Sequence, residues 1–371
     1  MRIGINLLYL IPGVVGGTET YAAGLLKGFA QVDKQNEFFV FVNRESGNWP
    51  IPQARNFIRV ICPVEAINRG KRYFFEQFRL PIMLKKYKVD VVHSLGYVGP
   101  LRTHCPAVVT VHDLNYRHIG HTMPMFRRII LKRISINAAN RADAVITVSE
   151  FSKREICVAE KIHSDKVIVT REGPRWERKS EAKTDSIKVQ EVYGIPGPYM
   201  AAFGGGAVHK NISRLIKAFG QLRGRFPYQL VLIGHLPADI HREELPEGVV
   251  VTGYVPEKHV LPLLTGAEIF VLPSLYEGFG LPVLEAQQSG VPVVCSSAGS
   301  LPEVAGEGAL YFDPLSIADM VEKISKVASD RDLQETLRRK GQINVGRFSW
   351  EQTAQKTLEV YEQVWQTRHQ A

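Results

Sequence analysis

The chain has 371 residues, with 46 Lys and Arg against 37 Asp and Glu, and a net charge of +9. This length predicts two or three domains, since one domain usually spans about 100–200 residues. A hydrophobic fraction of 45% excludes a mainly disordered or fibrous chain. No run approaches the roughly 20 consecutive apolar residues of a membrane-spanning helix. The four cysteines form no CxxC pair, which predicts no zinc site and no disulfide framework and favours the reducing cytoplasm.

The basic excess lies in the first half of the chain. Residues 1–172 carry a net charge of +11, whereas residues 173–371 carry −2. This asymmetry predicts an anionic partner for the first half, which leaves nucleic acid, anionic lipid and a phosphorylated substrate as candidates.

Short β-rich runs alternate with helical patterns along the chain. In the first half, strands are predicted at 2–8, 38–42, 57–61, 89–93, 107–111 and 144–148. Helices are predicted there near 18–31, 74–87, 126–141 and 150–160. The continuous β-branched runs at 107–111 and 144–148 are typical of parallel strands that are buried on both faces.

The polar stretch 173–198, rich in Gly and Pro, is predicted to be a linker. Strands then follow at 199–203, 229–233, 249–252, 269–272, 292–295 and 309–312. Helices follow near 211–223, 257–265, 282–289, 316–328 and 331–345, and a last one runs from 350 to about 367. Two successive βαβ series predict an α/β protein of two Rossmann-like, doubly wound domains that bind ligands at the carboxyl ends of their strands.

The segment 269–286 carries the strongest functional signal. A buried strand at 269–272 leads into a Gly-rich turn, and Pro282 suits the first turn of the helix that follows. Gly278 and Gly280 allow a ligand to approach the backbone closely, and the helix N-terminus favours a phosphate. Glu285, expected on the first helical turn, can accept hydrogen bonds from a ribose diol, and Glu277 lies on the turn itself. The alternative is a plain strand-to-helix turn with two solvated glutamates.

Glu277 and Glu285 resemble the paired glutamates, E-x7-E, of retaining glycosyltransferases of family 4, which have the GT-B fold. The neighbouring Pro273-Ser274, the run 290–294, Pro302-Glu303 and Asp313-Pro314 are similar to that family as well. The resemblance covers nearly the whole chain and implies two domains that face each other across a cleft. It implies an acceptor-binding domain at 1–185, a nucleotide-sugar-binding domain at 186–349, and a C-terminal helix, 350–371, that returns to the first domain.

The resemblance also implies roles for single residues. Glu285 matches the glutamate that binds the nucleotide ribose, and Glu277 matches the one that contacts the donor sugar. The backbone at Gly278, Phe279, Gly280 and Leu281 matches the stretch that meets the diphosphate and the sugar.

Three further motifs are similar to the same family. Gly16 and Gly17 follow the first strand and open a helix whose N-H groups can bind phosphate. His112 follows the strand 107–111 and resembles the histidine beside the transferring sugar. Lys210 lies on a third Gly-rich turn, 203–211, and can stabilise the departing diphosphate. The predicted catalytic residues are thus His112, Lys210 and Glu277, and the predicted donor-binding residues are Gly16, Gly17, Gly205, Asn211, Gly278, Phe279, Gly280, Leu281 and Glu285.

The loop of Lys210 departs from the family in one respect. Relatives often pair this lysine with an arginine on the same loop, either just before it or several residues earlier, but these positions here are His209 and Gly204. His209 and Arg214 are the two candidates to replace that cation.

The expected reaction transfers a hexose from a nucleotide diphosphate to an acceptor hydroxyl with retention of configuration, without a cofactor or obligatory metal. The best expectation for the donor is GDP-mannose, because Gly280-Leu281-Pro282 and 300–303 resemble the branch that often uses it; a UDP-sugar is the alternative. The acceptor is expected to be a glycan or a lipid-linked polysaccharide precursor.

The stretch 69–88 interleaves basic and aromatic residues. It fits an amphipathic helix on an anionic membrane, a helix whose aromatic face packs on the sheet, or a surface that stacks nucleic-acid bases. We expect no nucleic-acid partner, and a cytoplasmic protein that lies peripherally at the inner face of the membrane. A basic binding protein without transferase activity is the alternative from another class.

Two other enzyme classes share two βαβ series. A dinucleotide-dependent oxidoreductase would need GxGxxG after the first strand and an acidic residue about 20 positions later, and this pattern is absent. A nucleotide-sugar epimerase on the same fold is disfavoured by the spacing of Glu277 and Glu285.

Overall fold

The computed structural model describes residues 1–115, 125–176 and 182–370, and the side chains of 125–132 and 182–185 lie outside this description. The contacts divide the chain into two units, one formed by Met1–Gly173 with Phe348–Ala371 and the other by Pro174–Arg347. The first boundary thus precedes the expected one at 185, because Arg175 and Trp176 contact side chains of the second unit.

The first unit is built on a parallel sheet of seven strands in the order β3-β2-β1-β4-β5-β6-β7. Its strands are β1 (Arg2–Asn6), β2 (Glu37–Val42), β3 (Phe57–Ile61), β4 (Val91–Ser94), β5 (Ala107–Thr110), β6 (Ala144–Thr147) and β7 (Val167–Val169). The described helices are α1 (Gly17–Val32), α2 (Arg69–Phe74), α3 (Leu80–Lys86), α4 (Met125–Arg141) and α5 (Glu150–Glu160). A π-helical turn, Phe75–Arg79, joins α2 to α3.

The second unit contains a parallel sheet of six strands in the order β10-β9-β8-β11-β12-β13. Its strands are β8 (Tyr199–Phe203), β9 (Gln229–Ile233), β10 (Val249–Val251), β11 (Ile269–Leu272), β12 (Val293–Ser296) and β13 (Ala309–Phe312). Its described helices are α6 (Ala182–Val192), α7 (Ile212–Leu222), α8 (Glu257–Thr265), α9 (Leu281–Gln288), α10 (Leu301–Ala305), α11 (Ile317–Ser329) and α12 (Arg331–Val345). Both strand orders are doubly wound, with a reversal beside β1 and beside β8.

Each sheet is buried on both faces, as the continuous apolar strands predict. In the second unit, one apolar cluster contains Tyr199, Phe270 and Leu272, and another contains Met200, Phe219 and Phe312. The stretch predicted as a linker contains helix α6. Val189 and Ile195 of this stretch pack beside α8 in the first of these clusters, which explains why a polar sequence folds there.

The last helix, α13 (Trp350–Gln370), packs on α1 of the first unit. A Cβ atom on Gly28 would lie 2.3 Å from the carbonyl oxygen of Trp350, so only glycine allows this approach. Tyr361 extends the contact, since its hydroxyl lies 2.6 Å from Nδ1 of the buried His93 on β4. Among the described helices, none combines the length and apolarity needed to cross a membrane.

Candidate active site

Two loops meet at the reversal of strand order in the second unit. One follows β8 and carries Lys210, and the other follows β11 and carries Glu277. The amide of Leu275 donates to the carbonyl oxygen of His209 over 2.7 Å, which holds the loops together. In doubly wound folds, ligands bind at this carboxyl edge of the sheet, beside the reversal.

Lys210 and Glu277 form an ion pair within this site. Lys210 Nζ lies 2.8 Å from Glu277 Oε1, and Ser274 Oγ donates to the same oxygen over 2.7 Å. Burial alone would raise the pKa of the Glu277 carboxyl, but the Lys210 ammonium and these hydrogen bonds lower it below its usual value. The glutamate is therefore ionised at neutral pH.

The backbone of Glu277 is also fixed. Its carbonyl oxygen accepts hydrogen bonds from the amide and the hydroxyl of Ser300, at 3.1 and 2.9 Å. A Cβ atom on Gly299, which has a φ of +63°, would lie 2.6 Å from that carbonyl oxygen. The glycine is thus required for the close approach of the two loops.

The turn after Glu277 ends at Gly280, which has a φ of +107° and precedes the first residue of α9, Leu281. A side chain on Gly280 would be strained and would contact Leu301 Cδ2 at 2.7 Å. Ser300 Oγ also lies 2.6 Å from the carbonyl oxygen of Phe279, so its single proton is shared between this oxygen and that of Glu277. The turn 278–281 is buried and presents a helix N-terminus for which the structure describes no side-chain cap.

The sequence predicted Glu285 on the first turn of α9. It is the fifth residue of this helix and therefore lies beyond that turn. Its side chain is buried, with 2% exposure, and Arg175 Nε lies 3.2 Å from its Oε1. The guanidinium of Arg175 also lies over the Trp176 ring, 5.2 Å from the centroid. Sequence reasoning missed Arg175, because no local pattern connects residue 175 to residue 285.

The loop after β8 contains two further predicted donor-binding residues. Asn211 has a φ of +59°, and its amide nitrogen donates to the carbonyl oxygens of Pro273 and Pro314 at 2.9 and 2.8 Å. This side chain joins three loops of the fold, and a donor contact of Asn211 stays a prediction. Around Gly205, a Cβ atom would find no neighbour within 4 Å, so the loop borders open space.

The two candidates for a second cation differ from the lysine. Arg214 Nη1 donates to Asn211 Oδ1 over 2.8 Å, so this guanidinium helps to hold the loop of Asn211. His209 is half-buried, and burial together with the adjacent Lys210 charge lowers the pKa of its imidazole. The histidine is therefore neutral at pH 7, and Lys210 is the cation in contact with Glu277.

In the first unit, Gly16 and Gly17 lie at the N-terminus of α1, as predicted. Gly16 has a φ of +60° and precedes the first helical residue. Glu19 holds the preceding loop, since its carboxylate accepts from the Gly13 amide at 2.8 Å and from Trp49 Nε1 at 2.9 Å.

His112 follows the end of β5 and is 7% exposed. Its Nε2 lies 3.1 Å from the carbonyl oxygen of Leu95, and its Nδ1 lies 3.7 Å from Glu172 Oε1. The Tyr21 ring of α1 contacts the imidazole edge-on, with centroids 4.7 Å apart. Sequence reasoning missed Glu172, which follows β7, a strand that was not predicted.

The structure thus brings Lys210 and Glu277 into contact in the second unit. In the first unit, His112 contacts Tyr21 of α1. Among the described residues, no group of three His, Cys, Asp or Glu side chains could hold a metal ion.

The family described as Glycosyltransferase Family 4 matches residues 15–173, and the family described as Glycosyl transferases group 1 matches residues 190–344. The O-antigen chain mannosyltransferase B of Escherichia coli is 30% identical over 288 residues, which cover 75% of each chain.

Solved structures share the fold at lower identity. Sucrose-phosphate synthase from Thermosynechococcus elongatus has a TM-score of 0.75 and 20% identity, over 99% of this chain and all of the other. HepE from Anabaena in complex with UDP and glucose has a TM-score of 0.73 and 19% identity, over 98% and 99%. With the two doubly wound units, these similarities make the chain a hexosyltransferase of glycosyltransferase family 4, with the GT-B fold, in the mannosyltransferase-like branch.

Proposed function

We propose that the chain transfers mannose from GDP-mannose to a hydroxyl of a glycan or lipid-linked polysaccharide precursor, with retention of configuration. The observation that carries this proposal is the Lys210–Glu277 pair at the carboxyl edge of the second sheet, beside the N-terminus of α9. A cation, a helix N-terminus and a buried glutamate on the same helix are what a nucleoside diphosphate sugar requires.

Each of these groups has its own role in the proposed site. Glu285 accepts hydrogen bonds from the ribose diol, for which Arg175 must move from its carboxylate. Lys210 and the N-terminus of α9 stabilise the diphosphate as it gains charge, and Glu277 then accepts hydrogen bonds from the sugar. These interactions strengthen in the transition state, so they accelerate transfer.

In the first unit, His112 and the amides of Gly16 and Gly17 act on the transferring sugar and its phosphate. Retention follows from attack on the face that the diphosphate leaves, with the β-phosphate as the base. Lys210 supplies the charge that a metal supplies elsewhere, so we expect transfer to persist in EDTA, and a loss of activity there would contradict this role.

The choice of mannose is supported by the similarity to the O-antigen chain mannosyltransferase B. The alternative donor, a UDP-sugar, is favoured by the fold shared with HepE, whose structure holds UDP and glucose.

A thermal-shift panel of GDP, UDP, ADP and their sugars tests the donor. We expect GDP and GDP-mannose to raise the melting temperature most, and Glu285→Ala to abolish this shift. Glu307→Ala is the matched control, because Glu307 is an exposed glutamate of the same unit. A larger shift with UDP-glucose would contradict the choice of GDP-mannose, and no shift with any nucleotide would contradict the site.

We further propose that the protein is cytoplasmic and lies peripherally on an anionic membrane. Along the 69–86 segment, Phe75, Leu80 and Leu84 are buried against the sheet, but a second apolar face is exposed. This exposed face consists of Phe74, Phe78 and Ile82, which are 59%, 60% and 63% exposed. Phe74 and Ile82 line a groove together with Arg44, Lys71 and Arg79, and the only acidic residue in that lining among those that the structure describes, Glu65, lies 3.7 Å from Arg44. Exposed aromatic residues flanked by cations are typical of helices that lie in a membrane interface.

A further inference from the structure

The environment of His112 contains one buried carboxylate, Glu172, which the family motifs do not include. Glu172 is 4% exposed, and its Oε1 lies 3.7 Å from Nδ1 of the imidazole. Its other oxygen, Oε2, has no hydrogen-bond partner among the residues that the structure describes. A buried carboxylate with an unused oxygen is costly to a fold, so a role at the adjacent histidine would explain it.

The backbone around Glu172 is held on both sides. The amide of Thr170 donates to the carbonyl oxygen of Thr147 over 2.8 Å, and Thr353 Oγ1 donates to the carbonyl oxygen of Arg171. A Cβ atom on Gly173 would lie 2.7 Å from the amide nitrogen of Trp350. The carboxylate is therefore placed by the first unit itself.

The two ring nitrogens of His112 face different groups. Nε2 lies 3.1 Å from the carbonyl oxygen of Leu95, which can only accept, so Nε2 must carry a proton. A neutral imidazole would then direct the Nδ1 lone pair at a carboxylate oxygen in a buried site, which is repulsive. A proton on Nδ1 removes this repulsion and leaves a buried ion pair with the carboxylate.

We propose that Glu172 is a positioning residue for transfer: its carboxylate keeps a proton on Nδ1 of His112 and so fixes the orientation and protonation of the imidazole. The inference rests on the proposed function of His112 beside the transferring sugar. With this proton retained, the imidazole keeps its Nε2-H donor and adds no uncompensated negative charge to a site that must accept a diphosphate.

The surrounding groups favour retention of the proton. Burial raises the pKa of the Glu172 carboxyl and the nearby Asp113 charge raises it further, while the interaction with His112, 3.7 Å away, partly offsets the rise. Among the described residues, the other titratable groups that face the pair are Tyr9, Tyr21, Tyr97 and His93. Burial followed by the charge of His112 lowers the pKa of His93 to about 3, and burial raises those of Tyr9 and Tyr21, so none of these three is charged near neutral pH.

Nitrogen-15 NMR of histidine-labelled full-length protein tests the pair without reference to activity. We expect the wild type to show a proton on Nδ1 of His112 at pH 7, and Glu172→Gln to lose it while Nε2 keeps its own. Glu160→Gln, at another buried glutamate of the first unit, is the control and should leave the His112 signals unchanged. A wild-type spectrum without a proton at Nδ1 would overturn the proposal, even if Glu172→Gln failed to fold.

Kinetics with nucleotide-sugar donor supply the second readout. We expect Glu172→Gln to move the alkaline limb of the kcat profile to lower pH by about one unit or more, with little change in the donor KM. The effect should vanish in a His112→Gln background, since Glu172 acts through that ring. Equal losses in both backgrounds would overturn the proposal, whereas a proton on Nδ1 in a wild type that transfers no sugar would contradict the proposed function alone.

Discussion

Lys210 and Glu277 neutralise each other in the free protein, over 2.8 Å. We predict that Lys210→Ala lowers kcat by about 10²–10³-fold, with a smaller change in donor affinity, because the diphosphate gains charge mainly in the transition state. Steady-state kinetics with the preferred donor measure both quantities. Lys217→Ala is the matched control, because Lys217 is exposed on the adjacent α7. A loss of affinity with an unchanged kcat would contradict the role.

Glu76, on the π-helical turn, is a buried carboxylate that should control how stability depends on pH. It is 1% exposed, and burial raises the pKa of its carboxyl to about 7, although Arg72 and the Asn6 amide partly offset this rise. Between about pH 4.5 and pH 7, the Glu76 carboxyl of the folded protein holds a proton that the same group in the unfolded chain has released. The free energy of unfolding must therefore fall as the pH rises through that window, by about 3 kcal/mol in total.

We predict that Glu76→Gln removes this contribution to the slope. Urea unfolding at several pH values between 4 and 8 measures it, and the slope matters rather than the absolute stability, because the substitution also alters the environment of Arg72. The exposed Glu65 is the control, since Glu65→Gln should keep the wild-type slope. An unchanged slope in Glu76→Gln would show that the carboxyl titrates normally.

At the scale of elements, the contact of α1 with α13 depends on two glycines one helical turn apart. A Cβ atom would lie 2.1 Å from the Trp350 indole at Gly24, and 2.3 Å from the Trp350 carbonyl oxygen at Gly28. We predict that Gly28→Ala lowers the free energy of unfolding by about 1–3 kcal/mol, because the methyl group forces the helices apart. Urea unfolding monitored by circular dichroism measures this loss.

Gly220→Ala is the matched control within another helix. Its Cβ atom would meet Pro246 Cγ at 3.7 Å, an ordinary contact, so the substitution should stabilise the protein by about 0.5–1 kcal/mol. Equal losses in the two variants would mean that the intrinsic helix preference, rather than the close approach, decides the outcome.

Most elements could be predicted from the sequence, because buried parallel strands are continuous apolar runs. The strands at 57–61, 199–203, 229–233, 269–272 and 309–312 and the helices at 150–160, 257–265 and 331–345 have the predicted bounds. The strand β7 was missed because its three residues lie at the edge of the sheet, and α6 because its stability comes from tertiary contacts with α8. Intrinsic strand and helix propensities alone therefore give little indication of β7 or of α6.

At the scale of the whole molecule, the residues of the site, like the elements, can be predicted only where the signal is local in the sequence. Glu277, Gly280 and Glu285 lie within nine residues of each other, so one local motif predicts them together. Glu172 and Arg175 contact residues that are far away in sequence, and no spacing indicates such contacts. The uneven charge predicted an anionic partner for the first half but could not say which face binds it; the exposed side chains of 69–86 now suggest one.

That face leads to a prediction for the intact protein. We predict binding to vesicles that contain phosphatidylglycerol, weakening with salt as expected for cations near an anionic surface. The rings of Phe74 and Phe78 are tilted by 39° with centroids 4.8 Å apart, and both are more than half exposed. Burial of each ring in the interface therefore contributes on the order of 1–2 kcal/mol. Phe74→Ser with Phe78→Ser should therefore weaken co-sedimentation by about tenfold or more.

The control for this pair lies at an exposed aliphatic residue elsewhere. Ile343, on α12 in the second unit, is 66% exposed, and Ile343→Ser should bind vesicles as the wild type does. Lys85→Ala with Lys86→Ala separates charge from apolar contact, because it should reduce the salt dependence while the aromatic pair remains. Vesicle binding that survives loss of both rings, or that duplex DNA competes for at equal phosphate concentration, would contradict a membrane surface, since a bilayer interface requires the apolar face and a nucleic-acid site requires only the charge.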